Sequence, residues 1–315
     1  MLFHSKRYNT PLSEFGVNKP FALDRGELVL AELRKQYGEL IRPAEPPPIT
    51  REDALLVHTP AYIASLDRPE VWEQIFELKP EEYQPASATR PLNELFDDIA
   101  LKSGGTKLAA EYALKQGLAA NLGGGYHHAF PDQGRGFCAL HDVAIAIRTM
   151  QQRSLCKRCL VVDVDFHQGD GTAVIFADDP SVFTLSIHSE PGWPDTKQHS
   201  NLDVPIFANQ EHLYLDKLAV AIRRALEVFS PDLVMFVAGS DAYELDVLPG
   251  TKFLNLTLAQ MKERDELVID TFFDLGIPLA MVFAGGYGPD VWQVHYWQVH
   301  RMLERLDFQK ICEFT

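Results

Sequence analysis

The sequence predicts an α/β fold, with a mostly parallel sheet, helices on both of its faces and three layers in a single domain. Three observations carry that expectation. From about residue 93 onward, helical patterns alternate with short apolar runs. Those runs are continuous rather than alternating, as at 233–237, which marks strands buried on both faces. Four of the runs end in glycines or polar groups, and open parallel sheets build their sites at the carboxyl ends of strands.

Taken in order, residues 1–20 open with a short apolar piece followed by a polar loop. Residues 21–38 read as a helix, with Leu23, Leu28, Leu30 and Leu33 among charges. The Pro43 to Pro48 segment breaks the chain, and Thr50-Arg-Glu-Asp restarts a helix with a start like a capping box. Residues 66–92 read as a long loop with a helix fragment. The alternation then pairs helix 107–115 with strand 118–122, helix 142–151 with strand 160–164, and helix 172–176 with strand 182–187. Helix 214–229 leads to strand 233–237, helix 258–275 to strand 278–283, and a final helix covers 291–306. No internal repeat or interdomain linker interrupts this. Residues 1–92 are expected to wrap the core as loops and outer helices, and 1–315 to form one domain.

Composition narrows the function. The chain of 315 residues is 46% hydrophobic and 10% aromatic, enough for a sizeable core. Its formal charge of −15 makes it a poor partner for phosphate backbones, so no direct nucleic-acid binding is expected. The same charge mildly favours a cationic substrate. Four cysteines, Cys138, Cys156, Cys159 and Cys312, are too few for a disulfide framework, which points to a reducing compartment. The lone CxxC at Cys156 and Cys159 reads as small residues leading into a strand. The N-terminal residues contain no long apolar segment of a signal peptide, and no apolar run approaches the ~20 residues of a membrane span. A cytoplasmic protein without a membrane span is expected.

The chemistry concentrates at 161–172. An apolar run there ends in Asp163, Asp165, His167 and Asp170. Alternation puts Asp163, Asp165 and His167 on one face if the segment stays extended. Buried carboxylates at this density need cations, strong donors or a metal, and carboxylate with imidazole suits a divalent ion. Three further strand ends carry Gly123-Gly-Gly-Tyr-His127-His128, Ala238-Gly-Ser-Asp241 and Ala284-Gly-Gly-Tyr287-Gly. Alone, paired histidines read equally as surface residues, Asp241 as a loop or helix cap, and Tyr287 as packing. Together they assemble metal ligands, proton-transfer groups and a phenol donor, the parts of a metal-assisted hydrolase.

These segments, with Gly136-Phe137-Cys138, resemble the histone deacetylase family of the arginase–deacetylase fold, over nearly the whole chain. Within the family, Arg7-Tyr8-Asn9, Gly134-Arg-Gly-Phe-Cys, His167-Gln168-Gly169 and Lys262-Glu-Arg-Asp-Glu-Leu-Val look most like class IV deacetylases and their bacterial relatives. The resemblance implies one catalytic Zn2+ held by Asp165, His167 and Asp241. It makes His127 and His128 the tandem histidines beside the metal, oriented by Asp163 and Asp170, and Tyr287 the donor that polarises the substrate carbonyl. It makes Phe137 and Trp193 the walls of an acyl-lysine tunnel, with Leu248 at its mouth and the Gly136 carbonyl an acceptor for the substrate amide. It also implies a structural K+ at the carbonyls of Asp163, Asp165, His167 and Ile187 and the side chains of Asp163 and Ser186. The implied substrate is an acyl-lysine protein or peptide. The alternative is an acetylated polyamine or other small acetylated amine, for which Glu190 and Glu244 are the nearest candidates for an acidic gatekeeper. His128 is the expected general base and His127 its electrostatic helper, although the two roles are interchangeable at this stage.

Overall fold

Seven short runs pair side by side in the computed structural model, which describes residues 1–19 and 21–306. They are β1 (Leu2–Phe3), β2 (Leu118–Asn121), β3 (Cys159–Asp163), β4 (Val182–Ser189), β5 (Leu202–Ile206), β6 (Leu233–Val237) and β7 (Leu279–Val282). Their order is β1-β2-β7-β6-β3-β4-β5, and every pairing is parallel. Around them run α1 (Arg25–Tyr37), α2 (Arg51–Ala54), α3 (Pro60–Ser65), α4 (Pro69–Ile75), α5 (Leu95–Gln116), α6 (Asp142–Gln152) and α7 (Asp170–Ile175). The last three are α8 (Tyr214–Val228), α9 (Leu258–Asp274) and α10 (Trp292–Arg305).

Alternation along β3 divides the core in two. Leu160, Val162, Val164 and Phe166 pack with Val29 and Leu33 of α1, Ile222 of α8, Phe272 of α9 and Val299 of α10. Cys159 and Val161 face the other way, against Ala109 and Ala113 of α5 and Val143 and Ile147 of α6. Asp163 continues the second parity and closes β3; Asp165 and His167 follow it in a bend rather than in the extended strand that the one-face expectation needs. A third apolar cluster, including Phe15, Trp72, Ile75 and Leu95, seals the N-terminal segment onto α5 and α6. The expected three layers are therefore present, and α2 begins with the expected capping box between Thr50 and Asp53.

Four elements differ from the sequence reading. The opening apolar piece is an edge strand, with Leu2 and Phe3 paired to Ala120 and Asn121. The helix from 21–38 is no outer wrapping, since α1 buries Val29, Leu30 and Leu33 in the main core. β5 escapes a propensity reading because Leu202-Asp-Val-Pro-Ile contains Pro205, which an edge strand tolerates. α5 begins twelve residues earlier than the expected 107, running through Ser103-Gly104-Gly105. Glycine disfavours a helix interior by about 1 kcal/mol, but a Cβ at Gly104 would lie 1.8 Å from the Pro47 carbonyl oxygen. Close packing thus demands the residue that propensity penalises.

The sheet order also places the site. Between β2 and β3 the chain passes over two positions later filled by β7 and β6. The strands that carry the polar ends, β2, β7, β6 and β3, are therefore consecutive neighbours. Their last paired residues lie level: Asn121 opposite Val282, Val282 opposite Val237, and Val237 opposite Asp163. The four following loops emerge from one edge. Among the described residues no helix is long and apolar enough to cross a membrane, and Cys312 lies outside them.

Candidate active site

At the end of β3 the chain bends so that its carboxylates accept backbone protons. Asp165 Oδ1 takes the His167 N–H at 2.9 Å, and Asp165 Oδ2 takes the Gly285 N–H, beyond β7, at 2.8 Å. Asp241, beyond β6, takes the Phe166 N–H at 2.8 Å. These bonds draw Asp165, His167 and Asp241 together, with one ligand atom from each within 4.8 Å of the others. All three are buried. His167 Nδ1 lies 2.9 Å from Asp241 Oδ2 and 3.2 Å from Asp165 Oδ1. Burial, reinforced by repulsion from Asp165, pushes Asp241 up to about 6. Two carboxylates this close and this buried need a cation between them. The donor set of two carboxylates and one imidazole fits a divalent metal.

The paired histidines follow β2. His127 Nδ1 meets Asp163 Oδ2 at 2.7 Å, and His128 Nδ1 meets Asp170 Oδ1 at 2.7 Å. Burial opposes charge on both rings, yet they diverge. For His127, attraction to Asp163 and then Asp165 outweighs burial and pushes it up to about 9. For His128, burial and the adjacent His127 dominate and push it down to about 4. One ring is therefore charged near neutrality and the other neutral, the division that separates an electrostatic partner from a base.

Tyr287 hangs from the loop after β7, and its phenol is held well above its ordinary pKa, first by burial and then by Asp241. It therefore remains a proton donor. One cavity of about 150 Å³ is lined by Asp165, His167, His127, His128, Phe137 and Tyr287.

The histone deacetylase domain family matches residues 19–303 of this chain. The chain belongs to the histone deacetylase family. It is 46% identical over 203 residues to a protein of Picosynechococcus sp., covering 64% of this chain and 66% of that one. It is 31% identical over 247 residues to histone deacetylase 2 of Arabidopsis thaliana, covering 77% and 62%. It is 30% identical over 261 residues to the acetoin utilization protein AcuC of Bacillus subtilis, covering 78% and 66%. The chain thus spans just under two thirds of the length of these curated relatives. A solved HDA15 HD domain superposes with a TM-score of 0.72 at 22% identity, over 97% of this chain and 90% of that one, which shows the shared fold.

The expected tunnel residues of a histone deacetylase do not all line this cavity. Phe137 lines the cavity 6.2 Å from Tyr287, centroid to centroid. Gly136 lines it too, although its carbonyl already accepts the Cys138 thiol at 3.3 Å. Trp193 is absent from the cavity lining, and its ring instead stands edge-on to His128 at 4.6 Å. Leu248 is also absent from the cavity lining, and its N–H donates to Asp246 at 2.9 Å. Asp163 and Ser186 are register partners on β3 and β4, and the Ser186 hydroxyl lies 2.9 Å from His188 Nδ1. Cys156 and Cys159 lead into β3 as expected, with sulfurs 3.4 Å apart.

Several residues at the site were not anticipated. Arg25 on α1 lines the cavity and donates to the carbonyls of Ala284 and Gly285, just before Tyr287. Buried Arg264 on α9 pairs with Asp265 and donates to the carbonyls of Val164 and Gly239, fixing the ends of β3 and β6 together. Asp142, opening α6, takes the N–H groups of Gly125 and Tyr126 and so sets the turn before His127. Asp246 takes the Tyr287 N–H at 2.7 Å. Phe21 packs on both Phe137 and Tyr287, at 5.0 and 5.6 Å. Arginine and aspartate on helices read as solvated charge in a sequence; only the lone acidic residue opening the apolar α6 pattern gave a signal.

Proposed function

We propose that the chain is a metal-dependent amidohydrolase that removes acyl groups from the side-chain amine of lysine. The observation that carries this is the pair of bonds His127–Asp163 and His128–Asp170 beside the Asp165, His167 and Asp241 group. A divalent ion there, zinc in this reading, supplies Lewis acidity and lowers the pKa of water. Asp165, His167 and Asp241 would hold that ion, and the cavity beside them would admit water and the substrate.

His128, bound through Nδ1, presents Nε2 as the base that accepts a proton from the attacking water. Returning that proton to the nitrogen as the amide C–N bond breaks yields a carboxylic acid and a free lysine amine. His127 stays charged and stabilises negative charge developing on the carbonyl carbon's oxygens. Tyr287 donates its phenolic hydrogen to the former carbonyl oxygen. Asp163 and Asp170 fix the tautomer and orientation of their rings. Phe137 flanks the acyl-lysine from the cavity wall, Trp193 backs that wall from behind His128 and Gly136, and the Gly136 carbonyl, once released by the Cys138 thiol, receives the amide N–H. The released acid would meet Arg25 and Lys102, which line the same cavity.

The finer placements belong to the same proposal. They are a class IV subclass, one catalytic domain over 1–315, and a potassium ion held by Asp163, Ser186 and Ile187 together with the carbonyls of Asp165 and His167. The test is a panel of lysine peptides acylated from acetyl to myristoyl, assayed beside an acetylated polyamine. Turnover of acyl-lysine in preference to the polyamine supports the reading. Preference for the polyamine moves the substrate to a small amine, and turnover of neither rejects amide hydrolysis on these substrates.

A further inference from the structure

Asp170 has three partners, one of them the Gly171 N–H, which donates to its Oδ1 at 3.0 Å. Its Oδ1 meets His128 Nδ1 at 2.7 Å, and its Oδ2 lies 3.1 Å from Arg135 Nη1. The carboxylate is fully buried, while the Arg135 side chain is 30% exposed. The guanidinium lies over the Trp193 ring at 4.7 Å and over the Phe130 ring at 5.2 Å. Trp193 in turn stands at 88° to the His128 ring. Arg135, Asp170, His128 and Trp193 therefore form a closed circuit of contacts.

The backbone of Arg135 makes a second connection. Arg135 and Cys138 exchange N–H···O bonds of 3.1 and 2.8 Å, which close a tight turn. The two residues inside it, Gly136 and Phe137, have φ of 52° and 66°. A Cβ on Gly136 would come within 2.7 Å of the Trp193 ring and 2.8 Å of the His128 ring. A phenylalanine in the left-handed region is strained and persists only where its surroundings hold it. The same residue thus anchors the turn that presents Phe137 and carries the side chain that holds Trp193.

We propose that Arg135 is a positioning residue with two separable parts: its charge fixes Asp170 and so orients His128, and its flat guanidinium fixes Trp193 against the Gly136 turn that lines the cavity and so sets the space for the acyl chain. This rests on the acyl-lysine reading above. The separation follows from chemistry, because lysine supplies the charge but neither the plane nor the forked geometry. Burial opposes the Asp170 charge, but attraction to His128, with Arg135 adding to it, holds that carboxyl below its ordinary value. Losing the cation leaves the buried Oδ2 without its ion pair, so that only the bonds of Oδ1 to His128 and to the Gly171 N–H hold the carboxylate and, through it, the His128 ring.

The experiment measures kcat and KM on the acyl-lysine series for wild type, Arg135→Ala, Arg135→Lys and Trp193→Ala, with metal content and melting midpoint as controls. Arg135→Ala should lower kcat by roughly ten- to a hundredfold, the usual effect of losing an outer partner, and raise KM. Arg135→Lys should recover most of kcat but keep the raised KM, and Trp193→Ala should reproduce the KM rise. Equal kinetics in wild type and Arg135→Ala, or no recovery of kcat in Arg135→Lys, would overturn the proposal. If Arg135→Ala does not fold, a wild-type KM in Arg135→Lys overturns the guanidinium's part, and a raised KM with kcat kept upholds it. A readout independent of turnover is acrylamide quenching of Trp193 emission, taken as the difference between each protein and its Trp193→Phe partner. Quenching should rise in Arg135→Lys, and unchanged quenching sinks the contact. No turnover by wild type on any peptide would reject the substrate reading, while quenching would still decide whether Arg135 holds Trp193.

Discussion

The rings of His127 and His128 lie 3.9 Å apart, centroid to centroid, tilted by 45°. Each has its own carboxylate, yet only His127 has a second one near, with Nε2 3.6 Å from Asp165 Oδ1. The carboxylate of His128 is already shared with Arg135. That asymmetry raises His127 above its ordinary value and burial lowers His128 below its own, which supports His128 as the base in the proposed reaction. Replacing His128 with Gln should cost roughly 10²–10⁴ in kcat, and the same change at His127 should cost less. Measured kcat for the two variants checks this; the reverse order would exchange the roles.

Tyr287→Phe removes one hydroxyl and leaves the packing against Phe21 and Phe137 in place. Loss of an oxyanion donor typically costs roughly 10²–10³ in rate. The expected result is that loss with unchanged metal content. Full turnover would remove Tyr287 from the chemistry.

Arg264 stands among the largest fully buried side chains, and its partner Asp265 is equally buried. Removing one member of such a pair strands a charge, at a cost of about 3–5 kcal/mol. Arg264→Ala should therefore lower stability in urea by that order and release the ends of β3 and β6. A midpoint within experimental error of wild type would show that the pair contributes nothing.

Below pH 6.5 the fold should weaken through His58. Its Nδ1 lies 2.9 Å from the Phe130 carbonyl oxygen, and its Nε2 accepts the His141 N–H at 2.9 Å. Burial pushes the ring down to about 4. The unfolded chain thus binds a proton near pH 6.5, where the folded chain does not. The stability is complete above pH 6.5 and is lost as pH falls toward 4, an effect of order 3 kcal/mol for this group. His58→Asn, followed by denaturant melts from pH 7 to 4, should give a shallower loss. An unchanged slope would exclude His58 as the cause.

Sequence alone showed the alternating strands and helices, and it put Asp163, Asp165 and His167 at the carboxyl end of β3, although the strand stops at Asp163 and the other two follow in a bend. Those features are local: an apolar run fixes a strand, and parity fixes its faces. It did not show β5, because Pro205 carries meaning only once the strand is known to lie at an edge. It did not show the first turns of α5, because the reason for Gly104 is the distant Pro47 carbonyl. The roles of Arg25, Arg135, Asp246 and Arg264 were not legible for the same reason, although Arg135 and Arg264 sit inside segments that carry the family resemblance: each role is defined by a partner far along the chain or across a loop. The converging loops of β2, β7, β6 and β3 depend on strand order, which no local pattern encodes.

Everything proposed for the reaction depends on a divalent ion gripped by Asp165, His167 and Asp241. The direct measurement is elemental analysis of the purified chain beside its Asp241→Asn variant, after equal exposure to zinc. The expected result is one ion per wild-type chain and a large loss in the variant, with the fold retained by circular dichroism. Equal loading of the two proteins, or none in either, would contradict it.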